Sequence, residues 1–169
     1  MPITTAELHA TFKATQTGSN DFGGPLFLPD IDKMLRFTDG VTADKADILW
    51  GDMRTLAASA TENLDLAGVL TDAFGVVVAA VKVVAVLISA DAANTNDVII
   101  GGHATLAVPL FGGTLGTHAI KPGGVFLAAA PGLAGLFAVT PTTFDMLKVM
   151  NSGAGTGVTY SIIILARSA

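Results

Sequence analysis

The chain of 169 residues contains no cysteine, which excludes a disulfide framework, a zinc–thiolate site and a cysteine nucleophile. Charge is also scarce, at 14% of residues against the ~25% of ordinary soluble chains. Fourteen acids outnumber nine Lys and Arg, for a net charge of −5. That sign is wrong for a protein that neutralises phosphates, so no nucleic-acid partner is expected. One Trp and one Tyr leave little from which to build an aromatic sugar platform. What the chain has in excess is apolar residues, 51% of the total, with a mean hydropathy of +0.62. Global disorder is thereby excluded, because there is ample apolar surface to bury.

Such hydropathy calls for either a membrane or an assembly. The most apolar window, AFGVVVAAVKVVAVLISA at 73–90, carries Lys82 near its centre. A charge there costs roughly 2.5–3.5 kcal/mol on insertion scales. Its valines favour a strand. We therefore expect strands whose excess apolar surface is buried between subunits, and no membrane partner. The N-terminus, MPITTAELHATFK, has no basic stretch before an apolar core, so no signal peptide is expected.

Charge divides the chain unevenly. Residues 1–72 hold eleven acids and five bases, whereas residues 73–169 hold three acids and four bases. A nearly uncharged stretch of 97 residues suits a protein packed into an array, where net charge is not needed for solubility.

Short apolar runs between Gly, Pro and Asn signals predict strands near 64–70, 82–89, 97–101, 105–110, 125–130, 136–140, 146–150 and 158–165. Eight strands at this spacing predict an all-β fold, a jelly-roll-like β-sandwich body. The first sixty residues differ. Segments 7–15 and 31–38 read as extended arms or strands, 19–25 as a loop, and 43–50 as ambiguous. The division expected is an N-terminal extended arm or small subdomain over 1–55 and a sandwich body over 56–169.

Motifs for catalysis are weak. The glycines of GAGTG at 153–157 have the wrong spacing for a dinucleotide fingerprint and precede a strand, so a flexible hairpin loop is expected. His9, His103 and His118 have no spacing that sets two ligands on one face. Asp39, Asp44 and Asp47 lack the order of a calcium loop. Glu7 and Glu62 have no evident reason to pair as acid and base, and Lys82 reads as an exposed or ion-paired position. No catalytic residue, cofactor or metal site is expected, and the chain is not expected to be an enzyme.

One long segment is more specific. RTLAASATENLDLAGVLTDAFG at 54–75 precedes a Val-rich strand that ends in an Asn-rich turn, Asn94-Thr-Asn96. VIIGG follows at 98–102, then PGG at 122–124 and NSGAGTGVTY at 151–160. In these runs, with weaker likeness at 14–23, the chain resembles small virion proteins of tailed bacteriophages. The resemblance implies a structural virion protein that binds and stabilises a capsid shell, most like a decoration or cement protein. It also implies a homotrimer on the capsid exterior, made in the host cytoplasm, with the major capsid protein as partner. The alternatives are a tail or spike component, or a carbohydrate-binding sandwich of a host-recognition protein. Phe12, Phe22, Phe27 and Phe37 of the arm, with Trp50 near its joint to the body, are the candidate contacts with the capsid. The arm's acids are expected to face complementary Lys and Arg.

Overall fold

The period-two alternation is plainest at the C-terminus, where Val158, Tyr160, Ile162 and Ile164 are buried and Thr159, Ser161 and Ile163 are not. In the computed structural model, which describes residues 2–19 and 21–169, patterns of this kind give thirteen strands. The first four are β1 (Ala6–Lys13), β2 (Gln16–Thr17), β3 (Leu26–Phe27) and β4 (Asp30–Phe37). The body follows with β5 (Ile48–Leu56), β6 (Thr61–Asp65), β7 (Lys82–Ala90), β8 (Val98–Gly101), β9 (Thr117–Ile120) and β10 (Val125–Ala129). It ends with β11 (Phe137–Ala138), β12 (Met146–Asn151) and β13 (Val158–Arg167). No α-helix occurs among the described residues, and none of their helices is long and apolar enough to cross a membrane. The expected loop at 19–25 includes Asn20, which lies outside the described residues.

The fold is an all-β sandwich with an N-terminal arm. One sheet runs β10-β7-β13-β5, with the short β11 also on β7, and the other runs β6-β12-β8-β9. The pairing is nested: β5 pairs β13, β6 pairs β12, β7 pairs β10 and β8 pairs β9, all antiparallel. The body is thus one long ribbon folded over into two sheets, closed by the β7–β13 and β8–β12 pairs. Val86 and Ile88 of β7 and Ile162 and Ile164 of β13 meet Val98, Ile100, Leu147 and Val149 of the facing sheet. Full burial of each such side chain stabilises by roughly 1.5–3 kcal/mol. An Ile162→Asp change would put an unpaired charge at the centre of this layer.

Several sequence expectations shift. Residues 48–55, assigned to the arm, form most of β5, the edge strand on β13, so the body begins before residue 56. The stretch 105–110 is a bridge at Ala107 followed by a 3₁₀ turn over Pro109–Phe111, because proline withholds its N–H from a ladder. The strand expected at 64–70 stops at Asp65, whose carboxylate accepts the Ala67 N–H at 2.8 Å and turns the chain. The 153–157 loop joins β12 and β13, which lie in different sheets, so it is a crossover and not a hairpin.

The arm is itself a β-hairpin. β1 and β4 pair along their whole length from Ala6↔Phe37 to Lys13↔Asp30, and β2 and β3 extend the ribbon toward its tip. Its base sits on the outer face of the five-stranded sheet. Ile3, Phe37, Ala46, Val84, Ala85 and Leu165 form a second buried cluster there, with Ala6, Leu8, Leu35 and Ala129 packed against it. A register shift at Leu165/Ala166 leaves Val84 as the extra residue of β7. This bulge turns Val84 outward, under the arm, between inward-facing Val83 and Val86.

Candidate assembly interface

Strand alternation gives the arm two chemically different faces. Glu7, His9, Thr11 and Lys13 share one face with Arg36, Met34, Asp32 and Asp30. That face is stitched by its own charges: Arg36 Nε lies 2.9 Å from Glu7, Lys13 Nζ lies 3.4 Å from Asp30, and Thr11 Oγ1 is 3.2 Å from Asp32. The other face carries Ala6, Leu8, Ala10 and Phe12 against Phe37, Leu35, Lys33 and Ile31. Near the base these side chains pack on the body. Farther out the stripe runs off the body, with Phe12 61% exposed and Ile31, Leu26, Phe27 and Leu28 also exposed.

A second apolar surface lies beside the arm. Between its Thr55–Thr159 pair at one end and its Lys82–Arg167 pair at the other, the outward positions of the five-stranded sheet include Leu49, Gly51 and Met53 on β5, Ser161, Ile163 and Leu165 on β13, Ala85, Leu87 and Ser89 on β7, and Val125, Leu127 and Ala129 on β10. None of these outward residues between the two pairs is charged. Leu49, Met53, Val125, Leu127 and Ile163 are exposed. Ile163 and Leu49 stand between two grooves, one of ≈ 230 Å³ bounded by Leu8, Leu87 and Leu127 with Glu7 and His9, the other of ≈ 530 Å³ bounded by Ile3, Phe74, Val76 and Val77 with Asp47 and Asp72.

The five aromatic residues expected as contacts separate into two groups. Phe12, Phe22 and Phe27 lie on the exposed arm. Phe37 and Trp50 are 1% and 4% exposed and belong to the two cores of the chain itself, so neither is free to anchor a partner. Phe37 is the arm's own anchor, and Trp50 is an inward residue of β5. Several acids of the N-terminal region are engaged within the chain. Glu7 and Asp30 have Arg36 and Lys13 as partners within the arm. Asp39 accepts the Ile3 N–H at 3.0 Å and Asp47 the Ser168 N–H at 2.9 Å, so both serve turns at the arm's base.

The remaining polar candidates have separate structural positions. His9 lies 3.9 Å from Glu7, His103 Nδ1 accepts the Leu106 N–H at 2.9 Å, and His118 packs on Phe111 and Phe126. Among the described residues no group of three His, Asp or Glu is placed to hold a metal. Glu62 joins Arg54 and Tyr160 across the corner between the sheets: Tyr160 donates to Oε1 at 2.5 Å and Arg54 Nε to Oε2 at 2.7 Å. Burial, then the Glu62 bond, raises the Tyr160 phenol well above its ordinary range. The Glu62 bond, opposed by burial, also holds the Arg54 guanidinium more firmly protonated.

Three features had no clear sequence signal of their role. Arg167 is 0% exposed and donates to the carbonyls of Lys45, Pro131, Gly132 and Leu133 at 2.8–3.1 Å. The Asn-rich turn and the NSG loop meet: Asn96 Nδ2 donates to Asn151 Oδ1 at 3.0 Å, and Asn151 Nδ2 to the carbonyls of Ala57 and Thr156. In the VIIGG run, Gly101 has φ +92°, and a Cβ there would strike the Gly116 carbonyl and the Phe111 ring. These motifs therefore fix the loops at the sandwich ends. Comparison of the chain with protein-family models, curated proteins and solved structures gave no match.

Proposed function

We propose that the chain is a non-enzymatic structural protein of a phage virion, a decoration or cement protein that binds and stabilises a capsid shell from outside. In this reading the nested ribbon is a jelly roll, and the hairpin arm is the grip on the major capsid protein. The observation that carries it is the amphipathic arm, whose apolar stripe leaves the body uncovered while its polar face is satisfied within the ribbon. An isolated two-stranded hairpin is marginal in water. An arm of this length is accordingly expected to gain order from a contact beyond the body.

The bacteriophage resemblance, which covers roughly residues 50–169, supplies the class of partner. Burial at about 25 cal/mol per Å² before association costs, repeated over many copies, would strengthen a shell. A carbohydrate-binding module finds less support, since Trp50 and Tyr160 are both buried. The test is an arm-shortened variant with residues 10–33 replaced by Asn-Gly, which closes the His9↔Met34 pair with a two-residue turn. It keeps Leu8, Leu35 and Phe37 on the body. We expect it to fold and to lose co-sedimentation with undecorated capsids; full decoration would discard the arm as the grip. Because the stripe is apolar, binding of the full chain should change little with salt.

A further inference from the structure

We propose that the outer part of the arm lies on the open outer face of the five-stranded sheet of a second copy, so that copies of the chain associate by laying arm on sheet. This deepens the assembly reading by naming the surface and its occupant, and it requires no capsid. The arm's base already shows the fit: Leu8, Leu35 and Phe37 of the stripe pack against Val84, Ala85 and Leu165 of this same sheet face. Ala10, Phe12 and Ile31 continue that stripe beyond the body. Leu49, Leu127 and Ile163 continue the sheet face beyond the base and are exposed.

Charge agrees with the match. The sheet positions around Leu49, Leu127 and Ile163 are uncharged, and the acids Glu7, Asp47 and Asp72 stand at the walls of the grooves beside them, so an apolar stripe laid along the centre covers no sheet ion there while the arm's ion-paired face stays toward water. Lys33 is the one cation on the stripe, and its long stem can carry its charge to the rim. From the Leu8↔Leu35 pair to Phe12↔Ile31 the ribbon advances four residues, or about 14 Å, enough to cross roughly three strands of a sheet. An arm-to-sheet contact joins two different surfaces, so it closes into a ring when the rotation allows.

The absence of cysteine makes cross-linking clean. Full-length chain bearing Phe12→Cys is mixed with chain bearing Leu49→Cys, Leu127→Cys or Ile163→Cys, and treated with a short bismaleimide. A fourth partner, Asn63→Cys, puts the thiol on exposed β6 of the other sheet. We expect a mixed product at twice the 17.1 kDa chain mass with at least one of the three face variants and none with Asn63→Cys. No product with any face variant that folds by circular dichroism, or equal product with Asn63→Cys, overturns the proposal. Light scattering and capsid co-sedimentation on the same chains keep the two readings apart. A monomer, or an oligomer without face cross-links, overturns arm-on-sheet association; if either still decorates capsids, the function proposed above stands. A monomer that does not bind capsids overturns both.

Discussion

The body and the arm are both antiparallel ribbons with satisfied backbone ladders, yet they differ in what covers them. In the body the ribbon folds over, so each sheet buries one face against the other. In the arm the ribbon stays single, and beyond Leu8 and Leu35 both of its faces are exposed. Pairing strands satisfies N–H and C=O groups but does not offset the ~1–2 kcal/mol of entropy lost per ordered residue. Apolar burial does that, and only the body has it in quantity. The comparison predicts two kinds of mutational response: changes in the body shift folding, and changes in the outer arm shift association.

Arg167 gives the largest expected effect. Replacing it with Ala would take a buried donor from the carbonyls of Lys45, Pro131, Gly132 and Leu133, of which Pro131 and Gly132 keep the N–H groups of Asp44 and Gly135. We expect a loss of about 3–5 kcal/mol, read as the denaturant midpoint. Arg167→Lys should recover less than half, because an ammonium cannot fork to carbonyls on several sides. A wild-type midpoint for Arg167→Ala would remove this residue from the account of the body. Asn151→Ala comes next, at about 1–3 kcal/mol, since it removes donors to Ala57 and Thr156 and the acceptor of Asn96. Combined with Asn96→Ala it should cost less than the sum of the two single changes; additivity would mean that the two loops are pinned independently.

Much of the body was legible because β7, β8, β10, β12 and β13 are short apolar runs, Val- and Ile-rich in β7, β8 and β13, with Gly, Pro or Asn near their ends. β5 was not, because Gly51, Asp52 and Arg54 break its pattern. The structure shows why they are tolerated: β5 is an edge strand, where Arg54 reaches Asp52 and Glu62 at the sheet corner. β9 is four residues of Thr-His-Ala-Ile, too short and mixed to announce itself. The arm reads as extended in the sequence, but its two-faced character depends on the β1–β4 register, which one strand read alone cannot supply. For the same reason Phe37 resembled the other arm phenylalanines until the register placed it at the base. Arg167 gave no signal, since its acceptors are backbone carbonyls and no residue type marks them.

Tyr160→Phe probes the sheet corner at smaller cost, about 1–2 kcal/mol near neutral pH from the lost bond to Glu62. Its sharper readout is alkaline. The folded phenol is held above its ordinary value of 10.0, so above about pH 10 the unfolded chain releases a proton that the folded chain retains. The unfolded state then binds fewer protons, and stability falls as pH rises, by at most about 1.4 kcal/mol per pH unit from this group. Below pH 10 this contribution is fully present. Tyr160→Phe should flatten the decline between pH 10 and 11.5; an unchanged slope would mean that other groups set it.

The smallest expected change in folding comes from Phe12→Asp, and there the comparison between arm and body is most exposed to failure. Phe12 is paired with Ile31 on the stripe and lies beyond the residues that pack on the body. Removing its ring therefore uncovers nothing in the chain's own core, and the denaturant midpoint of dilute protein should move by no more than ~0.5 kcal/mol. Association should respond otherwise. A carboxylate carried onto the apolar centre of the outer sheet face, around Leu49, Leu127 and Ile163, would be desolvated without a partner, a cost of several kcal/mol at a buried contact. A loss of even 2.7 kcal/mol corresponds to a hundredfold weaker contact. The mass of Phe12→Asp by light scattering should thus fall toward 17.1 kDa at concentrations where the parent chain is associated, with an unchanged β-sheet spectrum. Should the midpoint drop while the mass stays the same, Phe12 belongs to the fold and not to an interface, and the division between a self-sufficient body and a partner-seeking arm fails at its tip.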